Sequence, residues 1–138
     1  PFGVFSYRSI PDADKRPLVA IAGGIGITPF LAMFQALRLE LAKKRPPKAL
    51  LYWAVQDPKY FVHRVFFERF EAEWEGFSFH PSVGMLNTEH LYQELVRTEA
   101  TEGNIFLCGP PKMMKAVFRA LCAHGVEKKR ITTERFAV

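Results

Sequence analysis

The sequence predicts an α/β fold: a doubly wound sheet of about five parallel strands with helices on both faces. Three observations predict it. Short apolar runs alternate along the whole chain with stripes of helical period, in the order β-α-β-α-β-α-β-α-β. Two of those runs end in loops of unusual composition, Gly23-Gly24-Ile25-Gly26 and Cys108-Gly109-Pro110-Pro111. The chain has 138 residues, about one domain, and its 49% hydrophobic and 24% charged residues are the balance of an ordinary globular domain. No repeat, low-complexity stretch or internal linker interrupts the pattern.

Residues 18–22 form a short β-branched run closed by glycines, the signature of a buried strand. Thr28 is placed to cap the following helix, with Pro29 at its first position, where a missing N–H does no harm. Leu31, Phe34, Leu37 and Leu41 then recur at helical spacing until Pro46-Pro47. Ala49–Val55 is a second, aromatic-rich strand, and Val62, Val65, Phe66 and Phe70 mark an amphipathic helix. A third strand is expected over 77–80. Asn87 or Thr88 caps a helix carrying Leu91, Leu95 and Val96. Asn104–Cys108 is the fourth strand. Met114, Val117, Phe118, Leu121 and Cys122 give the last helical stripe, stopped by Gly125, and residues 131–133 make a short final strand.

Composition excludes several classes of function. No apolar run approaches the ~20 residues that span a bilayer. Cys108 and Cys122 do not form a CxxC pair, so a disulfide scaffold or thiolate metal site is not expected. His63, His80, His90 and His124 lack ligand spacing, and no metal ligand is assigned. The net charge is +5, with basic clusters at Lys43-Lys44-Arg45 and Lys128-Lys129-Arg130. Such clusters read first as solvated helix ends and loops, and an anionic cofactor or an acidic membrane surface is the sharper alternative. Nothing interleaves aromatic and basic residues in the manner of a nucleic-acid binder.

The two glycine-bearing loops carry the functional signal. In an open parallel sheet, ligands bind beyond the carboxyl ends of the strands, where strand order reverses. In a doubly wound sheet the first and fourth strands would be neighbours there. Backbone amides of Gly23-Gly24-Ile25-Gly26, at a helix N-terminus and free of obstructing side chains, suit a pyrophosphate, and the Thr28 hydroxyl adds a donor. A tight packing turn is the alternative reading of the same glycines.

At these residues the chain resembles a known family. "IAGGIGITPFLAM" (21–33), "FLCGPPKMMKAV" (106–117) and "ITTERF" (131–136) look like the nucleotide-binding half of the ferredoxin–NADP reductase superfamily, a Rossmann-like domain. The likeness runs from Pro1-Phe2-Gly3, similar to the family's junction with its flavin domain, through Phe136. The stretch "LLYWAVQDPKYFVHRVFF" (50–67) is similar to the membrane branch of ferric reductases and NADPH oxidases. What the resemblance implies is hydride transfer from NADPH or NADH to FAD. It implies a cofactor-binding set of Gly23, Gly24, Ile25, Gly26, Thr28 and Pro29 around the first loop. Gln56, Asp57 and Ser82 join at the second and third strand ends, and Cys108, Gly109, Pro110 and Met113 at the fourth. Cys108 would lie near the nicotinamide C4, Phe136 over the flavin ring, and Glu134 beside the reacting rings. The same residues also read as a small buried hydrophobe, a core phenylalanine and a solvated charge. No general acid or base is required, because the cofactors carry the chemistry.

Two departures from the family pattern matter. NADP users of the family often show Ser-Arg after the third strand, where this chain has Ser82-Val83. Asp57 could accept from a ribose 2′-hydroxyl, whereas Lys59 or Arg64 could reach a 2′-phosphate, so the nucleotide preference stays open. The family's flavin motif is also absent, since Ser6-Tyr7-Arg8-Ser9 only mimics its letters. Residues 1–138 are therefore expected to be one NAD(P)H-binding domain of a longer, cytoplasmic-facing chain, with the FAD-binding domain N-terminal to it. Partners expected in that parent are the FAD domain and a heme-bearing transmembrane part, with oxygen or ferric iron as acceptor. The alternatives are the reductase of a soluble ferredoxin-type or oxygenase electron-transfer system, and a nucleotide sensor that transfers no hydride.

Overall fold

In the computed structural model, which describes residues 12–13, 15–39 and 45–134, strands and helices alternate along the chain. The order is β1 (Leu18–Gly23), α1 (Thr28–Leu39), β2 (Ala49–Val55), α2 (Arg64–Glu73), β3 (Phe77–Val83), α3 (Thr88–Arg97), β4 (Asn104–Cys108), α4 (Pro111–Ala123) and β5 (Ile131–Glu134). Short 3-10 turns lie at Gly24–Ile27, Pro58–Tyr60 and Lys128–Arg130. The five strands form one parallel sheet in the order β3-β2-β1-β4-β5. After β3 the chain crosses back over β2 and β1 to lay β4 beside β1, so the strand order reverses at that pair.

Alternation of side chains along each strand sends successive residues to opposite faces of the sheet. Leu18, Ala20, Ala22, Leu51, Trp53 and Val55 meet Phe30, Phe34 and Leu37 of α1 and Phe67 and Phe70 of α2. On the other face, Val19, Ile21, Leu50 and Tyr52 meet Leu91 and Leu95 of α3 and Met114, Val117 and Leu121 of α4. With both faces covered, β1, β2 and β4 are buried along their whole length, hence their unbroken apolar runs. Phe34 is enclosed by Phe67, Phe70 and Phe77, with ring centroids 6.1, 6.2 and 5.1 Å away. Aromatic pairs of this kind add about 0.5–1.5 kcal/mol each beyond the area they bury.

Three local expectations change. Thr28 does not cap α1: its own backbone is already helical (φ −55°, ψ −49°), and its N–H donates to the Ile25 carbonyl. The chain enters the helix through the 3-10 turn at Gly24–Ile27, so the helical run starts four residues earlier. Val62 lies outside α2 and is exposed; Val65 lies within α2 and is also exposed. His63, with φ +64°, turns the chain into the helix, and Phe67 and Phe70 are its buried pair. β3 continues through Pro81 to Val83. It is the edge strand, so the proline removes no ladder bond on its solvent side. Leu41 and the basic Lys43-Lys44 pair lie outside the described residues.

The amino-terminal edge of the sheet is tied by charge. Arg130, just before β5, donates from Nη1 to Asp12 Oδ2 at 2.9 Å. Arg16 donates to the same oxygen at 2.5 Å, and Asn104 of β4 reaches Asp12 Oδ1 at 3.4 Å. The Arg130 hydrogen bond, aided by Arg16 and Asn104 and opposed by desolvation, lowers the Asp12 carboxyl from 3.8 to about 2. A carboxylate depressed in the native state stabilises it above its unfolded value. That contribution fades as pH falls from about 3.8 toward about 2. Thermal melts by circular dichroism between pH 5 and 2 should therefore fall more steeply for the wild type than for Asp12→Asn. Parallel pH profiles would remove this network from the account of acid stability.

Candidate functional site

At the carboxyl edge, the parallel register puts Ala22 of β1 opposite Cys108 of β4. The loops leaving these two strands consequently start side by side. Their separation is set by missing side chains. A β-carbon on Gly26 would lie 2.7 Å from the Cys108 carbonyl carbon and 3.0 Å from Gly109 Cα, and closer still to the Cys108 carbonyl oxygen. One on Gly109 would lie 2.7 Å from Met113 Sδ and 3.1 Å from the Gly23 nitrogen. One on Gly23 would press on the same Met113 sulfur and on Pro110 Cδ at 3.1 Å. Gly23, Gly26 and Gly109 are therefore glycines of close approach, and Met113, in the first turn of α4, closes over the seam.

Gly24 differs. Its φ is +57°, the left-handed region, and a β-carbon there would meet nothing within 4 Å. Two constraints on one loop are thus separable: Gly26 is held by space and Gly24 by backbone angle. The helical run that begins here leaves its first amides, at Gly24 and Ile25, without acceptors inside the helix, at the positive end of its dipole. Open space over Gly24 and amides of that kind fit a pyrophosphate. Thr28 is exposed in the first turn of α1, Pro29 is half-buried beside it, and Ile25 stands 74% exposed at the loop's tip.

Other predicted site residues fall on the same edge. Glu134 ends β5 directly opposite Cys108 in register. Burial pushes its carboxyl up from the ordinary glutamate value. Cys108 is fully buried, and burial, with the Glu134 charge adding, pushes its thiol up to about 11. It is a neutral thiol at physiological pH and carries no thiolate chemistry. Gln56 and Asp57 follow β2 and are exposed, and the Asp57 carboxylate accepts the Lys59 N–H at 3.0 Å. Ser82, on β3, is exposed opposite Ala54. The fold thus gathers Gly23, Gly24, Gly26, Cys108, Gly109, Pro110, Met113 and Glu134 around the switch point. Gln56, Asp57 and Ser82 stand along the edge, toward β3. Phe136 lies outside the described residues.

One residue of this site is not legible as such in the sequence. Trp53, wholly buried on β2, donates its indole Nε1–H to the Gly24 carbonyl at 2.9 Å. Elsewhere, two open clefts of about 340 and 250 Å³ lie at the opposite edge. In the larger, Lys48 is bonded to the Thr98 carbonyl and Arg97 to Glu94. Among the described residues no group of three His, Cys, Asp or Glu could hold a metal, and no helix is long and apolar enough to cross a membrane.

The family described as oxidoreductase NAD-binding domain matches residues 20–119, a stretch that contains both loops. This chain belongs to that family. The domain lies within the ferredoxin–NADP reductase superfamily, and its cofactor is a nicotinamide nucleotide. It is 31% identical to the toluate 1,2-dioxygenase electron transfer component of Pseudomonas putida, over 99% of this chain and 41% of that protein. Its fold matches flavohemoglobin of Malassezia yamatoensis with bound FAD and heme, at a TM-score of 0.78 and 22% identity, over 98% of this chain and 35% of the other. It also matches the flavohem-like FAD/NAD binding domain of nitric oxide dioxygenase from Vibrio cholerae (TM-score 0.66, 24% identity), over 88% of this chain and 51% of that one. The chain spans about two fifths of the curated relative. These relatives are oxygenase and flavohemoprotein components, so the narrower likeness to ferric reductases and NADPH oxidases gives way to the broader superfamily.

Two outcomes test the geometry of the loops and the thiol. Gly24→Asn should change stability by only a few tenths of a kcal/mol, because asparagine tolerates the left-handed region. Gly26→Ala should destabilise by about 1–3 kcal/mol, because the Cys108 backbone must move. Urea unfolding midpoints compare them, and equal values would remove the distinction. A thiol reagent at pH 8 should modify one cysteine per native chain, Cys122, and both in denaturant; rapid modification of Cys108 would contradict its burial.

Proposed function

We propose that this chain is the NAD(P)H-binding domain of the reductase component of an oxygenase-type electron-transfer system. The observation that carries the reading is the open, left-handed Gly24 at the start of a helical run, at the point where β1 and β4 part. The 31% identity to a dioxygenase electron transfer component supports the oxygenase setting. In this reading the pyrophosphate lies on the amides of Gly24 and Ile25, with Gly23, Gly26, Thr28 and Pro29 shaping the loop. Gly109, Pro110 and Met113 form the facing wall. Bound nicotinamide supplies a hydride and the flavin of the neighbouring domain receives it. Cys108, small and un-ionised, keeps the strand end free of bulk and charge, and Glu134 borders it. Phe136 is assigned to the flavin contact on the family resemblance.

The Tyr52-Trp53 pair does not require a membrane branch, because Trp53 has a local task at Gly24. A heme-bearing transmembrane partner and placement at a membrane face therefore drop out of the leading reading, and an iron–sulfur carrier in the cytoplasm takes their place. Asp57, an anion at the carboxyl end of β2, favours a free ribose 2′-hydroxyl over a 2′-phosphate. Ser82 is followed by Val83, so that strand end brings no arginine to compensate.

Calorimetric titration of the 138-residue chain should show NADH binding more tightly than NADPH. Gly24→Val should stay folded by circular dichroism and lose that binding. Joined to the flavin-binding domain of its parent, the chain should bleach the flavin under anaerobic NADH, while alone it should reduce no acceptor. Nucleotide binding with the flavin left oxidised would instead identify a sensor module, and the absence of binding by the wild type would overturn the reading altogether.

A further inference from the structure

We infer that Trp53 is a positioning residue of the nucleotide site, one that holds the Gly24–Ile25 peptide in the orientation a phosphate requires. The inference deepens the proposed nucleotide reading and rests on it. Gly24 is the loop glycine of this site with a positive φ, and no atom lies within 4 Å of where its β-carbon would be. Its carbonyl and the Ile25 amide belong to one rigid peptide plane. Fixing the carbonyl toward the sheet therefore directs the Ile25 N–H away from it, toward the open side. The Trp53 indole N–H makes that fixing bond, at 2.9 Å.

The tryptophan is itself immobilised. Its ring is wholly buried, with Phe61 edge-on at 5.0 Å and 84° and Phe67 at 6.0 Å and 70°. Phe61 closes the 3-10 turn that Asp57 begins at the end of β2. One side chain thus spans the loop that follows β1 and the loop that follows β2. An indole N–H is a donor only, and a phenylalanine ring retains most of its shape. The hydrogen bond can therefore be removed while the packing is largely kept.

The test is the affinity for ADP-ribose, which carries the pyrophosphate without the nicotinamide, measured on the full 138-residue chain. Trp53→Phe should bind ADP-ribose about fivefold more weakly, the loss of about one hydrogen bond. Leu95→Val, in the core on the opposite face of the sheet, should lower the melting temperature and leave that affinity unchanged. In the wild type, the indole N–H resonance of Trp53 should shift on adding ADP-ribose and that of Trp74 should not. A folded Trp53→Phe with wild-type affinity, a silent Trp53 resonance, or a Leu95→Val that weakens binding equally would each overturn the positioning role. A wild-type chain that binds no ADP-ribose overturns the nucleotide reading together with this role, so the two failures are distinguishable. Should Trp53→Phe not fold, the resonance shift decides by itself.

Discussion

The contact of Gly26 with the Cys108 backbone is the constraint on which the site depends. Parallel pairing of β1 with β4 brings two chain segments to the same edge, but pairing alone does not dictate how the loops beyond it pack. With hydrogen in place of a side chain at Gly23, Gly26 and Gly109, the two backbones touch, and Met113 seals the seam from α4. With that seam closed, the helical run into α1 starts at Gly24, beside the crevice. Any β-carbon at the contact separates the walls and moves the amides with them.

The two edges of the sheet do different work. At the amino-terminal edge, Asp12, Arg16, Asn104 and Arg130 satisfy one another and join the approach to β1 with β4 and β5. At the carboxyl edge stand the helix-start amides, an open glycine and the exposed Asp57 and Ser82, with Asp57 accepting the Lys59 N–H of its own turn. The asymmetry follows from direction: every strand of a parallel sheet points the same way, so all the helix N-termini that follow collect on one side. That side is where an anion meets a complementary field. It is also where burial, rather than ion pairing, raises the protonation of Cys108 and Glu134.

Much of this was legible in the chain. Continuous apolar runs at β1, β2 and β4 reported strands covered on both faces, and Leu91, Leu95, Met114, Val117 and Leu121 reported the helices that cover one of them. The pairing of the two glycine-bearing loops pointed to the β1–β4 crevice before any coordinates. Local rules failed where tertiary contacts overrode them. Thr28 followed by Pro29 has the composition of a helix start, yet the seam at Gly26 winds the chain earlier. Val62 fits a helical stripe, but burial chose Phe67 and Phe70. The third strand was expected to end at residue 80, and its place at the sheet's edge allows β3 to pass through Pro81 to Val83.

The sequence by itself determined the alternation of elements, the two-faced core and the identity of the loops, because hydrophobic period and glycine placement act within a few residues. Tertiary structure decided which side chain holds the Gly24 loop. Trp53 and Gly24 are 29 residues apart, one on β2 and the other in the turn after β1, and no local pattern couples a strand tryptophan to a distant carbonyl. It also decided why each glycine is a glycine. A left-handed backbone at Gly24 and a steric seam at Gly26 look the same in one-letter code, and only the neighbouring atoms tell an angle from a gap.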